Sequence, residues 1–247
     1  MKKYKTDWYL YYLINVTLII LVSFPIYWAF VSSIKQPDEL ITNTPTLFPK
    51  NPTFESYERI WNLEPTSSRG NIRSAFMNSA IVSIGTVVVS AVISTLAAYA
   101  LTILRTPFRH FIFLLIIMPI LIPGISLLIP LYKLVKELGL MNSYLGLILI
   151  HSTGMLTLGV FLMRNAFMSI PTSLREVALL EGSSELRIMF TVMLPLAIPG
   201  LLTLMVFALY GSWNDFILAF LFVNTIDMEM LNVFLMKLTF AGSQFDT

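Results

Sequence analysis

The sequence predicts an all-α polytopic membrane protein, because its composition and its apolar runs both fit a chain that crosses a bilayer repeatedly. Hydrophobic residues make up 56% of the 247 residues and charged residues 12%, which is about half the charged share usual in soluble domains. A helix of about 20 apolar residues spans the hydrocarbon core of a membrane. Five runs of that length occur, at residues 10–30, 75–104, 111–134, 144–163 and 194–223.

The first run predicts a retained membrane anchor. It follows Lys2, Lys3 and Lys5 and opens on Trp8, a basic end beside an aromatic interface belt. It is too long for a signal-peptide core and has no small-residue cleavage site. Prolines are spread through residues 31–71, which predicts an ordered external cap of turns and short helices. We therefore divide the chain into an anchor and external loop, residues 1–73, and a core of four spans, residues 74–247.

Two of the later runs show signs of packing inside a bundle. In the second run, Ser90, Ser94 and Ala98 repeat at the spacing that lets two helices approach closely. The third run contains Pro119 and Pro123, which remove backbone hydrogen-bond donors. Such breaks persist at membrane depth only where protein or a wet cavity satisfies the freed carbonyls. The third run is therefore predicted to lie inside the bundle or at its rim.

The composition excludes several classes of site. The chain has no Cys and only two His, far apart in sequence, which argues against disulfides, thiol chemistry and the usual metal centres. It has no Walker-type phosphate loop and neither the H-E-x-x-H nor the G-x-S-x-G motif. No basic stretch is long enough to bind nucleic acid. We therefore predict no catalytic residue, no metal and no cofactor bound by this chain.

Polar residues inside the spans mark either packing contacts or a transport pathway. The pathway candidates form two groups, one in the fourth span and one in the fifth: His151, Ser152, Thr153 and Thr157, and Trp213, Asn214 and Asp215. Ser and Thr can instead bond to their own helix, and Asp215 can hold helices together without touching a solute. Both interpretations stay open. A carboxylate within an apolar run should in either case face the bundle interior.

The charged segment between the fourth and fifth runs, residues 164–190, predicts two short helices around a glycine turn. Ser173 with Glu176 three residues later is a capping box for the first helix. Gly182 suits the left-handed residue that ends it, and Ser183 or Ser184 can cap the second. The first helix is mostly apolar although the segment must lie outside the bilayer. We expect it to dock on a partner protein rather than lie on lipid, a surface that favours Lys and Arg.

The same segment closely resembles the EAA loop, by which the permeases of ABC importers dock on a cytoplasmic ATPase. The family pattern is Glu-Ala-Ala, then Asp-Gly-Ala, then Phe and Leu-Pro, and Glu176, Gly182, Phe190, Leu194 and Pro195 match it. The resemblance assigns ATPase coupling to Ser173, Glu176, Val177, Ala178, Glu181, Gly182 and Ser183. Three of these depart from the pattern but roughly keep its size or charge, with Val for Ala, Glu for Asp and Ser for Ala.

Other stretches resemble the maltose-type subgroup of carbohydrate ABC permeases, in matching order: 33–39, 51–57, 105–109, 129–132, 138–140, 142–146 and 211–216. The resemblance covers nearly the whole chain and implies the permease bundle of a type I importer for a sugar or oligosaccharide. Its partners would be a homologous second permease, two cytoplasmic ATPases that bind the ATP, and an extracytoplasmic solute-binding protein. The subunit would be a transporter component rather than an enzyme, embedded in inner-membrane lipid. The resemblance implies a cytoplasmic N-terminus. The Lys and Arg residues divide evenly between the two sides of the membrane in this topology, so their distribution does not decide the orientation.

Family members have a sixth span, which this sequence does not include. We expect a truncated form of a six-span subunit that does not support transport alone. The many apolar residues between 230 and 240 need a neighbour to cover them, and the family's sixth helix would supply one. Alternatives are an ABC permease for a non-sugar solute, an ion-coupled secondary transporter, a membrane enzyme and a structural scaffold. Ion-coupled transporters usually pair intramembrane carboxylates, whereas the spans offer essentially Asp215.

Overall fold

The computed structural model describes residues 2–42, 44–66, 69–104 and 106–242, and all regular structure among them is helical. Arg105, which begins one of the resembling stretches, lies outside the described residues. The chain divides into two compact units, Met1–Leu63 and Glu64–Thr247. The division drawn from the sequence, after residue 73, lies further along, inside the helix that begins at Ile72.

The first unit contains a long apolar helix followed by a folded polar segment. Its helices are α1 (Lys2–Ser33), α2 (Pro37–Leu40) and α3 (Glu55–Trp61). Between α2 and α3, the carboxylate of Glu39 accepts hydrogen bonds from the backbone N–H groups of Lys50 and Asn51, at 3.0 and 3.1 Å. The bond from Lys50 is the main cause that lowers the pKa of Glu39 below its ordinary value. The predicted arrangement of turns and short helices is confirmed.

The second unit is a helical bundle. Its described helices are α4 (Ile72–Thr102), α5 (Arg109–Ile117), α6 (Leu128–Glu137), α7 (Tyr144–Met168), α8 (Thr172–Leu180), α9 (Glu185–Ile188), α10 (Leu194–Leu196), α11 (Ile198–Trp213), α12 (Ile217–Phe222) and α13 (Leu231–Gly242). Single turns of 3-10 helix lie at Met118–Leu121, Gly124–Leu127 and Ile226–Met228, and a π-helical turn lies at Met189–Met193.

Among the described residues, three helical segments are long and apolar enough to cross a membrane unbroken: Trp8–Ser33, Ile72–Thr102 and Tyr144–Met168. Two more spans arise if each of two bent pairs counts as one. Arg109–Leu121 meets Gly124–Glu137 at 97°, and Glu185–Leu196 meets Ile198–Trp213 at 80°. The predicted number of five spans therefore agrees with the structure only when each bent pair is one span.

The fifth apolar run is not one continuous helix, contrary to the span predicted at 194–223. The chain bends at Ala197, between α10 and α11, and breaks again after Trp213. Pro199 lies in the first turn of α11, where its missing N–H costs nothing. Because Pro199 has no N–H, it cannot make the backbone hydrogen bond that would continue α10 through the bend. Apolar composition predicted the run, whereas its prolines account for the bend at Ala197.

The core of the second unit lies where α4, α7 and α11 pack together. The predicted packing face of α4 is confirmed, since Ser90, Ser94 and Ala98 are all at most 1% exposed. Gly159 of α7 lies against this face, and a Cβ atom there would come within 2.3 Å of the Ser94 hydroxyl oxygen. The two helices approach so closely that this position has room only for glycine.

The proline break in the third run is satisfied by a side chain from α7. In the 3-10 turn after α5, Pro119 has no N–H to offer the carbonyl of Ile116, three residues earlier. The hydroxyl of Thr157 donates a hydrogen bond to that carbonyl at 2.8 Å. The expectation that protein groups satisfy the freed backbone is confirmed at this carbonyl, and Thr157 has a structural partner there.

We expect Thr157→Val to destabilise the bundle by about 1–3 kcal/mol, because the Ile116 carbonyl loses its donor inside the protein. Thermal unfolding in detergent measures the change. Thr203→Val is the matched control, since the Thr203 hydroxyl donates to the Pro199 carbonyl of its own helix from an exposed position. Its effect should stay within about 0.5 kcal/mol. Equal destabilisation by the two substitutions would contradict a bridging role for Thr157.

Candidate functional site

The loop helix α8 begins two residues earlier than the capping box predicts. It starts at Thr172, and Pro171 occupies the capping position without any side-chain hydrogen bond. Ser173 therefore lies inside the first turn, so the predicted Ser173–Glu176 capping box is wrong. The φ angle of Pro171, −60°, is already suited to a helix start. The proline thus sets the boundary that the sequence pattern assigned to serine.

The glycine turn after α8 forms as predicted. Gly182 has φ +82°, the left-handed conformation that favours glycine. Its N–H donates to the Leu179 carbonyl and the N–H of Ser183 donates to the Ala178 carbonyl, both at 3.0 Å. This pair of bonds is a Schellman motif. Ser184 then caps α9 by accepting from the N–H of Arg187, so helix, glycine turn and helix are all confirmed.

The side chains of α8 divide into one buried contact and a wide exposed face. Ala178 is buried and packs into the core cluster that contains Phe167. The exposed face is defined by Leu174, Val177 and Leu180, of which Leu180 is 89% exposed. Ser173, Glu176, Glu181 and Gly182 are exposed as well, and Ser183 is half-buried. Of the residues assigned to ATPase coupling, Ala178 alone is in the interior.

The structure brings together one residue from each group of pathway candidates. His151 Nε2 of α7 lies 3.9 Å from Asp215 Oδ2, and the two side chains are only 9% and 16% exposed. The carboxylate of Asp215 also accepts from the N–H groups of Leu218 and Ala219, at 3.4 and 3.0 Å, at the start of α12. Among the described residues, no three His, Asp or Glu side chains lie close enough to hold a metal ion. Asp215 therefore caps the start of α12 and lies beside His151 of α7.

The remaining pathway candidates are more dispersed. Ser152 is buried, Thr153 and Asn214 are exposed, and Thr157 bonds to the Ile116 carbonyl. The ring of Trp213 packs edge-to-face against Phe76, with centroids 5.3 Å apart. A role for these residues in lining a pathway stays a prediction.

We expect Asp215→Ala to lower transport more than it lowers assembly. The carboxylate caps α12 and contacts His151, so its loss should cost about 1 kcal/mol of stability, as for other helix caps. Uptake and the yield of assembled complex are measured side by side. Asp215→Asn is the control, because an amide oxygen still accepts from the Ala219 N–H. Losses of yield as large as the loss of transport would contradict the prediction.

A buried polar network around Glu229 was not predicted from the sequence. Glu229 is 3% exposed, lies 2.5 Å from the Nζ atom of Lys237 and accepts from the Gly70 N–H at 2.9 Å. Nearby, Asn78 of α4 donates to the carbonyls of Asp227 and Glu229, at 2.8 and 3.0 Å. The available signal was a pair of acids, Asp227 and Glu229, next to a mostly apolar stretch. Glu229 and Lys237 also line a cavity of about 460 Å³.

The apolar stretch after residue 229 is partly covered by helices of this unit. Met230, Val233 and Phe234 are buried, and the first two pack into a cluster with Leu147 of α7 and Phe222 of α12. The sequence did not reveal this packing, because the chain turns back onto helices that lie much earlier in the sequence. Leu235 and Phe240 of α13 are 41% and 66% exposed, so the expectation that a sixth helix covers this stretch stays a prediction.

Comparison with known proteins assigns the family. Residues 90–240 match the family described as the binding-protein-dependent transport system inner membrane component. The fold is similar to that in a crystal structure of a bacterial ABC transporter involved in the import of the acidic polysaccharide alginate, with TM-score 0.83 and 22% identity. That likeness covers 100% of this chain and 88% of the other.

Curated relatives agree with this assignment. The chain is 33% identical over 233 residues to the probable starch degradation products transport system permease protein AmyC of Thermoanaerobacterium thermosulfurigenes, covering 94% of this chain and 81% of that protein. It is 32% identical to the inner membrane ABC transporter permease protein YcjP of Escherichia coli, covering 84% and 72%. These matches exclude the secondary transporter, enzyme and scaffold alternatives. The chain belongs to the inner membrane component family of binding-protein-dependent transport systems, and is a multi-pass permease subunit of an ABC transporter that works with partner components.

Proposed function

We propose that this permease subunit imports a sugar or oligosaccharide and couples to a cytoplasmic ATPase through α8. Relatives named for trehalose, for diacetylchitobiose and for starch degradation products support this substrate class. A homologous second permease forms the other half of the pathway, and an extracytoplasmic binding protein delivers the solute. ATP is bound and hydrolysed by two partner ATPase chains, so this chain needs no cofactor of its own.

The observation that carries the coupling proposal is the exposed apolar face of α8, formed by Leu174, Val177 and Leu180. A helix on a lipid surface usually sets Lys or Arg along its polar side. The one basic residue of α8, Arg175, is paired with Glu185, and Glu176 points an exposed acid outward. Anionic headgroups repel such an acid. A groove on a protein partner suits this helix better than lipid.

Helix order supports a cytoplasmic N-terminus. If each bent pair is one span, four spans separate the start of α1 from α8, and an even number of crossings returns a chain to the side on which it began. An ATPase that docks on α8 then places both in the cytoplasm.

We expect Glu176→Lys to abolish ATP-driven uptake while the subunit still inserts. In our proposal Glu176 pairs with a basic residue of the ATPase, and a charge-assisted contact of that kind is worth about 1.5–3 kcal/mol. Uptake in cells and the amount of subunit in membranes test this. Glu137→Lys, an exposed acid at the end of α6, controls for the change of charge. Wild-type uptake in Glu176→Lys would contradict the assigned pairing.

The substrate class is tested by ATPase activity. The subunit, expressed together with its partners, is reconstituted in lipid and mixed with binding protein loaded with members of a panel of sugars, amino acids, peptides and ions. Stimulation by at least one sugar or oligosaccharide is the expected result. Stimulation confined to amino acids, peptides or ions would contradict a carbohydrate substrate and favour an importer of a non-sugar solute.

A further inference from the structure

Glu185 lies at a junction between the loop helix α8 and the core helix α4. Arg175 of α8 donates two hydrogen bonds to its carboxylate, from Nε at 3.2 Å and from Nη2. The hydroxyl of Tyr99, near the end of α4, donates to the same carboxylate at 3.0 Å. One carboxylate therefore joins an exposed helix outside the membrane to a helix of the bundle core.

The three residues differ in burial along this path. Tyr99 is 4% exposed, and its ring packs edge-to-face on Phe167 of α7, with centroids 5.6 Å apart. The side chains of Arg175 and Glu185 are 22% and 37% exposed. The hydrogen bond to Glu185 is the main cause that raises the pKa of Arg175 above its ordinary value, so the guanidinium stays charged. A two-pronged guanidinium–carboxylate contact fixes direction as well as distance.

Helix α8 has few other attachments to the bundle. The structure describes this helix in full, and within it Ala178 is the one buried residue. A small side chain gives a shallow contact, about which a helix can tilt. The Arg175–Glu185 contact lies at a second point and restricts that tilt, because two separate points define an orientation where one does not.

We propose that Tyr99 and Arg175 are positioning residues that act through Glu185 to transmit displacements of α8 into α4. This inference rests on the proposed docking of the ATPase on α8. When the ATPase moves α8, the guanidinium moves the carboxylate, and the carboxylate moves the hydroxyl of α4. Without the Tyr99 hydroxyl, α8 still binds the ATPase, but a displacement of α8 no longer moves α4. Hydrolysis then continues while transport lags behind.

The test compares Tyr99→Phe with the unmodified subunit in the reconstituted complex. Tyr99→Phe keeps the packed ring and the Arg175–Glu185 pair and removes the single hydroxyl. We expect unchanged co-purification of the ATPase, unchanged basal hydrolysis, and about a tenfold fall in solute imported per ATP, the factor that a lost charge-assisted hydrogen bond produces. Tyr210→Phe, the same change on an exposed ring of α11, should leave that ratio at the unmodified value.

Charge exchange provides a second test. Arg175→Glu should uncouple transport in the same way, and Arg175→Glu with Glu185→Arg should restore at least half of the ratio, because the Tyr99 hydroxyl can accept from an arginine. A normal ratio in Tyr99→Phe, or no rescue by the exchanged pair, would overturn the inference alone. A fall in unfolding temperature or ATPase binding that matches the fall in uptake would indicate a structural role and also overturn it. Failure of the unmodified subunit to bind an ATPase would overturn the proposed function as well.

Discussion

Gly182→Val should abolish ATP-driven uptake while leaving the subunit in the membrane. Gly182 has φ +82°, a conformation that a β-branched residue adopts only at a cost of about 1–3 kcal/mol. No atom lies within 4 Å of the Cβ position, so the penalty comes from the backbone and not from a clash. Relief of the strain would break the Schellman bonds and swing α8 away from the orientation in which it docks. Uptake and membrane content measure the two effects separately.

Gly139→Val is a closely matched control for this substitution. Gly139 also has a positive φ, +67°, and also has open space around its Cβ position. It follows α6, on the side of the membrane that the proposed topology places opposite α8. The same backbone strain there should lower stability but retain most uptake. Equal losses of uptake from the two substitutions would show that general destabilisation, and not the geometry of α8, causes the defect.

Glu229→Ala should strongly destabilise the second unit. It leaves Lys237 without its partner and the buried N–H of Gly70 without an acceptor. Breaking a fully buried pair costs about 3–5 kcal/mol, and since Lys237 keeps 35% of its side chain exposed, we expect about 2–3 kcal/mol. Thermal unfolding in detergent, with protease resistance of α13 as a local readout, measures the change.

Glu137→Ala, the loss of an exposed acid, should shift stability by less than about 0.5 kcal/mol. Glu229→Gln should fall between the two, because its amide oxygen still accepts from Gly70. If Glu229→Ala left the unfolding temperature unchanged, the ion pair between Glu229 and Lys237 would contribute nothing to holding α13 on the bundle.

Local chemistry in the sequence predicted much of the coupling loop. The glycine turn at Gly182 and the cap at Ser184 follow from backbone preferences that act over a few residues. The error at Ser173 arose where Pro171 offered a competing helix start. Small residues such as Ser94 predicted a close helix contact, because their spacing on one helix is visible without knowing the partner.

Contacts between distant positions could not be predicted in this way. Tyr99 and Glu185 are 86 residues apart, and His151 of α7 is far in sequence from Asp215, which lies between α11 and α12. The sequence pattern around one residue of such a pair does not indicate which distant residue it contacts. The apolar stretch at α13 shows the same limit, since the need for a covering neighbour was evident but the identity of that neighbour depended on the fold.

The central claim is that α8 docks on a cytoplasmic ATPase, and a photo-activated cross-linker at Leu180 tests it most directly. Leu180 is 89% exposed on the docking face, and Ile19, 64% exposed on α1, provides the control position. We predict a cross-link from position 180 to the ATPase that depends on the assembled complex, with position 19 labelling lipid. Labelling of lipid alone from position 180 would contradict the claim and make α8 a helix of the membrane surface.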